Sequence, residues 1–261
     1  PVADQLGIEL VRCEPLWTEP DGHAGAPDER IGSRLMKIEA IAEARFDPVL
    51  YLDCDTLVLD DIGKIVDELG PALADGADMF SLLRRPTAPT LWDHRSFYFP
   101  NDAITKDGAA DLLHDIYGVA VTPAVIDELV CWNSGIIFGR SEAVRGVARR
   151  WLELYRRMLA SPRRAEIVPR DQLGFWITLW ELRSRVRVRE LPARWNFMAG
   201  YLPGLDSATA ELPDGLIGDA AILHFAGLKF EPWALRRVLP VLAAVPGAPA
   251  LWAPAGAAVT W

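Results

Sequence analysis

The run Val49-Leu50-Tyr51-Leu52, followed at once by Asp53-Cys54-Asp55, constrains this chain more than any other segment. Four apolar residues in succession, set off by Pro48, read as a strand buried on both faces of a parallel sheet. Asp53 and Asp55 stand two apart, so in extended backbone their side chains point to the same side. Two carboxylates on one side repel each other unless one is protonated or a cation lies between them. A hard divalent ion, Mn²⁺ or Mg²⁺, meets that need and leaves coordination positions open for phosphate oxygens. A solvated acidic turn is the alternative for Asp-x-Asp taken alone.

The rest of the chain alternates helical and extended patterns. Ile8–Cys13 is a short β-like run. Residues 30–45 carry a helical stripe of Ile31, Leu35, Ile38, Ile41 and Ala42. Asp61 is placed to cap a helix running to about Leu69. Residues 78–83 read as a strand, and Thr122-Pro123 as a helix start. Ser134–Phe138 is a strand, Ser141 a cap for a long amphipathic helix to about Leu159, and Asp171–Leu182 a further helix. Strands are expected over 186–190 and 221–224. Such alternation implies an α/β fold with a largely parallel central sheet, whose ligands gather at the carboxyl edge of the strands. Residues 84–105 form a long polar excursion, of the kind that is uncommon unless functional. Its aromatics Trp92, Phe97, Tyr98 and Phe99, with Trp132, are candidate stacking platforms for a sugar.

Composition narrows the partners. With 27 Lys+Arg against 36 Asp+Glu the net charge is −9, which disfavours nucleic acid as a partner. Cys13, Cys54 and Cys131 are odd in number and lack metal-ligand spacing, which fits reduced thiols in a cytoplasmic protein. The most apolar stretch, 238–252, is broken by Pro240, Pro246 and Pro249, so no transmembrane segment is expected. The arginines at 183, 185, 187 and 189 read as a solvated face. Those at 145, 149, 150, 156, 157, 163 and 164 read as solvated helix faces that make one end basic.

Of the four histidines, only His224 ends an apolar run, Ala221-Ile222-Leu223. A satisfied core histidine is the ordinary reading of such a residue. Gly227, three residues on, permits close backbone approach, and Lys229 supplies a cation. A metal ligand, a permissive turn and a phosphate partner in one loop make a coherent diphosphate site.

Several of these segments occur in an order that resembles glycosyltransferase family 8, which includes the glycogenins and bacterial lipopolysaccharide galactosyltransferases. They are Ser33-Arg34-Leu35, Asp53-Cys54-Asp55 after its apolar strand, Asn133-Ser134-Gly135, Asp171-Gln172, Arg194-Trp195-Asn196-Phe197-Met198, and His224-Phe225-Ala226-Gly227 with Lys229 and Pro232-Trp233. The likeness covers roughly residues 8–235. It implies a single GT-A (Rossmann-like) catalytic domain over 1–235, whose first strand is expected to precede the chain's start, and a C-terminal extension over 236–261. It also implies retaining transfer of a hexose from a nucleotide sugar, most commonly UDP-linked, to a saccharide or other hydroxyl acceptor, with Mn²⁺ or Mg²⁺ as cofactor.

By position, the resemblance makes Asp53, Asp55 and His224 the metal ligands and places Gly227 and Lys229 against the diphosphate. Arg34 and Asn133 become donor-sugar contacts, and Asp171 and Gln172 the residues nearest the anomeric carbon. A turn for Asn133 and a helix cap for Asp171 are the structural alternatives. The family loop has its lysine one residue later than Lys229, directly before Pro-Trp. Two other functions share the same α/β sheet: a sugar nucleotidyltransferase, and a non-catalytic protein that binds nucleotide sugars.

Overall fold

The computed structural model describes residues 29–83, 89–168, 171–198 and 219–225. The expected run at 8–13, the loop residues Gly227 and Lys229, and the 236–261 extension lie outside the described residues.

In chain order the elements are α1 (Glu29–Ala42), β1 (Val49–Leu52), β2 (Thr56–Val58), α2 (Lys64–Ala74) and β3 (Met79–Leu83). Then come α3 (Arg95–Tyr98), α4 (Lys106–Tyr117), α5 (Pro123–Glu128), β4 (Trp132–Gly139), α6 (Ser141–Ala160) and α7 (Asp171–Glu181). The strands β5 (Val188–Glu190), β6 (Phe197–Met198) and β7 (Ile222–His224) complete the described chain.

The fold is mixed α/β, with a four-stranded sheet in the order β1-β4-β3-β5 and a three-stranded sheet in the order β2-β7-β6. The expectation of a mostly parallel sheet is corrected here. β4 runs antiparallel to both β1 and β3, and β2 antiparallel to β7, while only β3–β5 and β6–β7 are parallel. The reason lies between β3 and β4. That connection carries three helices, α3, α4 and α5, of which α4 and α5 pack on each other. It re-enters the sheet beside β3 at the end where β3 left it, so β4 runs the opposite way.

The doubly buried strand is also not the expected one. β1 has only Val49 fully buried, with Leu50, Tyr51 and Leu52 half-buried. β4 is buried along nearly its whole length. Its side chains alternate between two cores: Ile137 joins the cluster of α1, α4, α6 and α7, and Ile136 and Phe138 join the cluster that α2 covers. Helices therefore cover both faces of the sheet.

The stripe expected on α1 is the buried one, since Ile31, Leu35, Ile38, Ile41 and Ala42 all lie in the core. α1 packs on α6, whose Val144, Val147, Trp151, Leu154, Tyr155 and Met158 form the opposing face. Two expected caps differ. Ser141 is the first residue of α6, and its N–H is taken at 2.8 Å by the Asp47 carboxylate from across the chain. Asp61 accepts from Gly63 N–H at 2.8 Å in the turn ahead of α2, which begins two residues later than the cap reading implies. Thr122 does cap α5, accepting from Val125 N–H, with Pro123 in the first turn. Within the described part of the excursion, residues 92–98 are helical, and Tyr98 and Phe99 are fully buried rather than presented to a ligand. Tyr98 stands edge-on to Trp176 with ring centroids 5.0 Å apart.

The arginines at 183, 185, 187 and 189 are exposed, as expected. On α6 and just beyond it three of the arginines are matched by carboxylates. Arg150 holds Glu181 and Glu153, Arg156 holds Glu39, and Arg163 holds Glu166 and Asp115. Cys54 is exposed and Cys131 buried, and both are free thiols. Among the described residues no helix is long and apolar enough to cross a membrane.

Candidate metal centre

Three elements converge at the end of β1. The chain leaves β1 at Asp53, whose N–H donates to the Gly135 carbonyl of β4 at 2.7 Å. It then turns, with Thr56 Oγ1 donating to the Asp53 carbonyl at 2.8 Å, and enters β2. β2 pairs with β7 in a register that sets Thr56 opposite His224, and Phe225 N–H closes on the Asp55 carbonyl at 2.9 Å. The pairing of β2 with β7 is thus what carries a residue from the far end of the described chain to the acidic pair.

The result is one cluster. His224 Nε2 lies 3.3 Å from Asp55 Oδ1 and 4.0 Å from Asp53 Oδ2. One ligand atom from each of Asp53, Asp55 and His224 falls within 4.8 Å of the others, so the group could hold a metal ion. The imidazole is buried and the two carboxylates are half-buried, so the cluster opens on the carboxylate side.

His224 is aimed from behind. Its Nδ1 lies 2.9 Å from Asn196 Oδ1, an acceptor, so Nδ1 carries a proton and Nε2 is the nitrogen that faces the carboxylates. Asn196 Nδ2 donates to Asn133 Oδ1 at 3.0 Å, and the same oxygen accepts from Gly135 N–H at 2.9 Å. Asn133 was expected at the donor sugar. Its side chain is buried behind the cluster, and its oxygen is committed to Gly135 and Asn196. Asn196→Ala is expected to weaken Mn²⁺ binding about 10- to 100-fold, as loss of a partner that orients a ligand does. Calorimetric titration of the purified variant checks this, and an unchanged affinity would show that His224 needs no partner.

Room for an ion comes from Gly135. A Cβ there would stand 2.1 Å from His224 Cε1 and 2.9 Å from Asp53 Oδ2. Only a residue without a side chain fits between those two groups.

Beside the cluster is a second polar group that spacing alone left unassigned. Lys37 Nζ lies 3.0 Å from Asp53 Oδ1, 3.1 Å from Asp53 Oδ2, 3.2 Å from Asp171 Oδ2 and 3.0 Å from Ser134 Oγ. Its side chain is 12% exposed, so this is an ion pair shielded from water rather than a surface bridge. Tyr51 OH donates to Asp53 Oδ1 at 2.7 Å. Arg34 Nε reaches Asp171 Oδ1 at 3.8 Å. Asp171 opens α7, and its carbonyl accepts from Trp151 Nε1 at 2.7 Å, which fixes the helix start. Gln172 follows it, half-buried.

The ionisation states follow from these contacts. Burial alone would raise the Asp171 carboxyl, but the charges of Lys37 and Arg34 outweigh it and hold the group below its ordinary range. Burial likewise opposes the Lys37 charge, yet Asp171 and Asp53 push its pKa above the usual lysine value. Asp55 is lowered despite burial, chiefly by its hydrogen bond and charge interaction with His224. Burial and the neighbouring Asp53 drive the Tyr51 phenol far upward, so it remains a donor.

Of the expected residues, the structure brings together Asp53, Asp55, His224, Arg34 and Asp171, with Gln172 adjacent. Lys37, Tyr51, Ser134 and Asn196 join them without having been given a role. Signals for two of them were present: Lys37 is three residues from Arg34 on one helical face, and Tyr51 is two before Asp53 on one side of a strand. No protein-family model matches this chain, and none of the curated proteins matches it.

Proposed function

We propose that this chain is a metal-dependent retaining glycosyltransferase that moves a hexose from a nucleotide sugar, UDP-linked in the first instance, to a hydroxyl acceptor. The observation that carries the reading is the convergence of Asp53, Asp55 and His224, with the Asp171 carboxylate joined to the same cluster through Lys37. Two carboxylate oxygens and a neutral imidazole nitrogen suit Mn²⁺ and leave positions for diphosphate oxygens. When bound there, the ion supplies charge neutralisation for a nucleoside diphosphate leaving group.

The chain's own residues do the rest. Asp53 Oδ2, Asp55 Oδ1 and His224 Nε2 would hold the ion, with Asn196 fixing the imidazole tautomer. Asp171, kept ionised by Lys37 and Arg34, accepts hydrogen bonds from sugar hydroxyls. A carboxylate already shared between two cations is a weak nucleophile, which favours same-face attack over a covalent glycosyl intermediate on Asp171. Gln172 then steadies positive charge at the anomeric carbon through its carbonyl dipole, and the leaving phosphate takes the acceptor proton.

On this reading Gln172→Ala lowers kcat by about 10- to 100-fold while donor affinity stays nearly constant, because that charge exists mainly in the transition state. Steady-state kinetics together with equilibrium donor binding separate the two quantities. Equal kcat for variant and wild type would make the start of α7 a structural feature only. The function itself is tested by incubating the protein with a panel of UDP-hexoses, with Mn²⁺ or with EDTA. Release of UDP is expected with one donor and Mn²⁺ only. Release of pyrophosphate from nucleoside triphosphate and sugar 1-phosphate would point to nucleotidyl transfer instead.

A further inference from the structure

The lysine that touches Asp53 is already doing what a metal ion would do for that carboxylate. Lys37 has three N–H donors, and Asp53, Asp171 and Ser134 accept all three. Its ammonium reaches both oxygens of Asp53, at 3.0 and 3.1 Å. The further of these, Oδ2, lies 4.0 Å from His224 Nε2, and Asp53 belongs to the candidate ligand set. The ammonium is also held from the protein side, 5.6 Å from the centroid of the Tyr51 ring and 5.7 Å from that of Trp151. The charged groups around it are Asp53, Asp55, Asp171 and Arg34, so the local repulsion expected between carboxylates is relieved by a cation built into α1.

We propose that Lys37 is an internal competitor of the divalent ion: its ammonium, shared between Asp53 and Asp171, weakens the ion's hold on Asp53. The inference rests on the metal reading above. A purely structural lysine would give the opposite sign on removal. Losing a packing and hydrogen-bonding anchor loosens Asp53 and weakens metal binding. Losing a competing positive charge strengthens it, because two like charges over one carboxylate repel and the freed carboxylates attract a cation.

The experiment is titration of Mn²⁺ alone into the purified chain, read by calorimetry and by the paramagnetic resonance signal of free Mn²⁺. Lys37→Met is expected to bind Mn²⁺ about tenfold or more tightly than wild type, from the loss of one nearby unit charge. Lys37→Arg, which keeps the charge, is expected to stay within a few-fold of wild type. Circular dichroism establishes that each variant is folded. If Lys37→Met does not fold, Lys37→Gln carries the same test, since it removes the charge and keeps a donor for Ser134 or Asp171. Weaker or unchanged Mn²⁺ binding in the folded neutral variants overturns the proposal, as does equal tightening in Lys37→Arg. Wild-type protein that binds no Mn²⁺ overturns the metal reading itself and the proposal with it. That result differs from wild-type binding with an unaltered Lys37→Met, which overturns the competitor role alone.

Discussion

Under the proposed transferase function, Asp55→Ala is expected to lower glycosyl transfer by at least about a thousandfold, roughly 4 kcal/mol of transition-state stabilisation, while leaving the protein folded. The large effect follows from the place of Asp55 in the cluster, where its Oδ1 is the ligand atom nearest His224 Nε2, at 3.3 Å. The small effect on stability follows from what the side chain does not hold. The pairing of this turn to β7 uses the Asp55 carbonyl, which accepts from Phe225 N–H and is unaffected by the substitution. His224 keeps its Asn196 partner. A loss of about 1 kcal/mol or less is expected for one removed hydrogen bond. Turnover with a UDP-sugar and a thermal melt of the same preparation check both halves. Wild-type turnover combined with a collapsed melting temperature would reverse the assignment and make Asp55 a structural residue.

Gly135→Ala is expected to do the reverse, costing stability and metal binding together. Its Cβ would meet His224 Cε1 at 2.1 Å, His224 Nε2 at 2.8 Å and Asp53 Oδ2 at 2.9 Å. His224 is fully enclosed and hydrogen-bonded from behind, so the ring has nowhere to retreat. Overpacking of this kind costs about 1 to 3 kcal/mol, and here the displaced atoms are the candidate ligands themselves. Mn²⁺ affinity should therefore fall below detection. Gly146→Ala on α6 is the control: nothing lies within 4 Å of a Cβ there, so the change should stabilise by up to about 1 kcal/mol through helix propensity. Chemical denaturation of both variants, with Mn²⁺ titration, compares the opposite signs directly. A neutral Gly135→Ala that still binds Mn²⁺ would show that the cluster does not need the gap.

The helical stripe of α1, the cap and proline of α5, and the apolar run before Asp53 were legible because local periodicity and turn chemistry are properties of neighbouring residues. The acidic pair was legible as two carboxylates at a strand end, but the extended backbone expected between them is a turn at Cys54 and Asp55. Strand direction was not. An alternating pattern does not say at which end of the sheet a long connection re-enters, and the one between β3 and β4 returns to the end it left. The doubly buried strand was misplaced because apolar residues in succession do not say which strand lies in the middle of the sheet. β4, with Asn133-Ser134-Gly135 at its start, and β3 are the two strands flanked on both sides, while β1 is an edge strand.

The roles of Asn133, Tyr98 and Phe99 were beyond sequence reasoning for a related reason. A polar residue beside a strand and aromatics in a long connection suit a ligand or a core equally well. What decides is which atoms surround them: Gly135 and Asn196 for Asn133, and the Trp176 ring for Tyr98.

By itself the sequence determined the residue types that could share a hard cation, Asp53 with Asp55 on one strand end, and singled out His224 as the histidine at the end of another. It could not bring them together, because they are separated by some 170 residues and meet only through the pairing of β2 with β7. Nor could it assign Lys37, whose charge reads as solvent-facing on any helix until α1 packs beside β1 and turns that ammonium onto Asp53 and Asp171. Spacing along the chain fixes which side a group faces within its own element; which group it meets there is set by long-range packing, and the tertiary structure alone decided that.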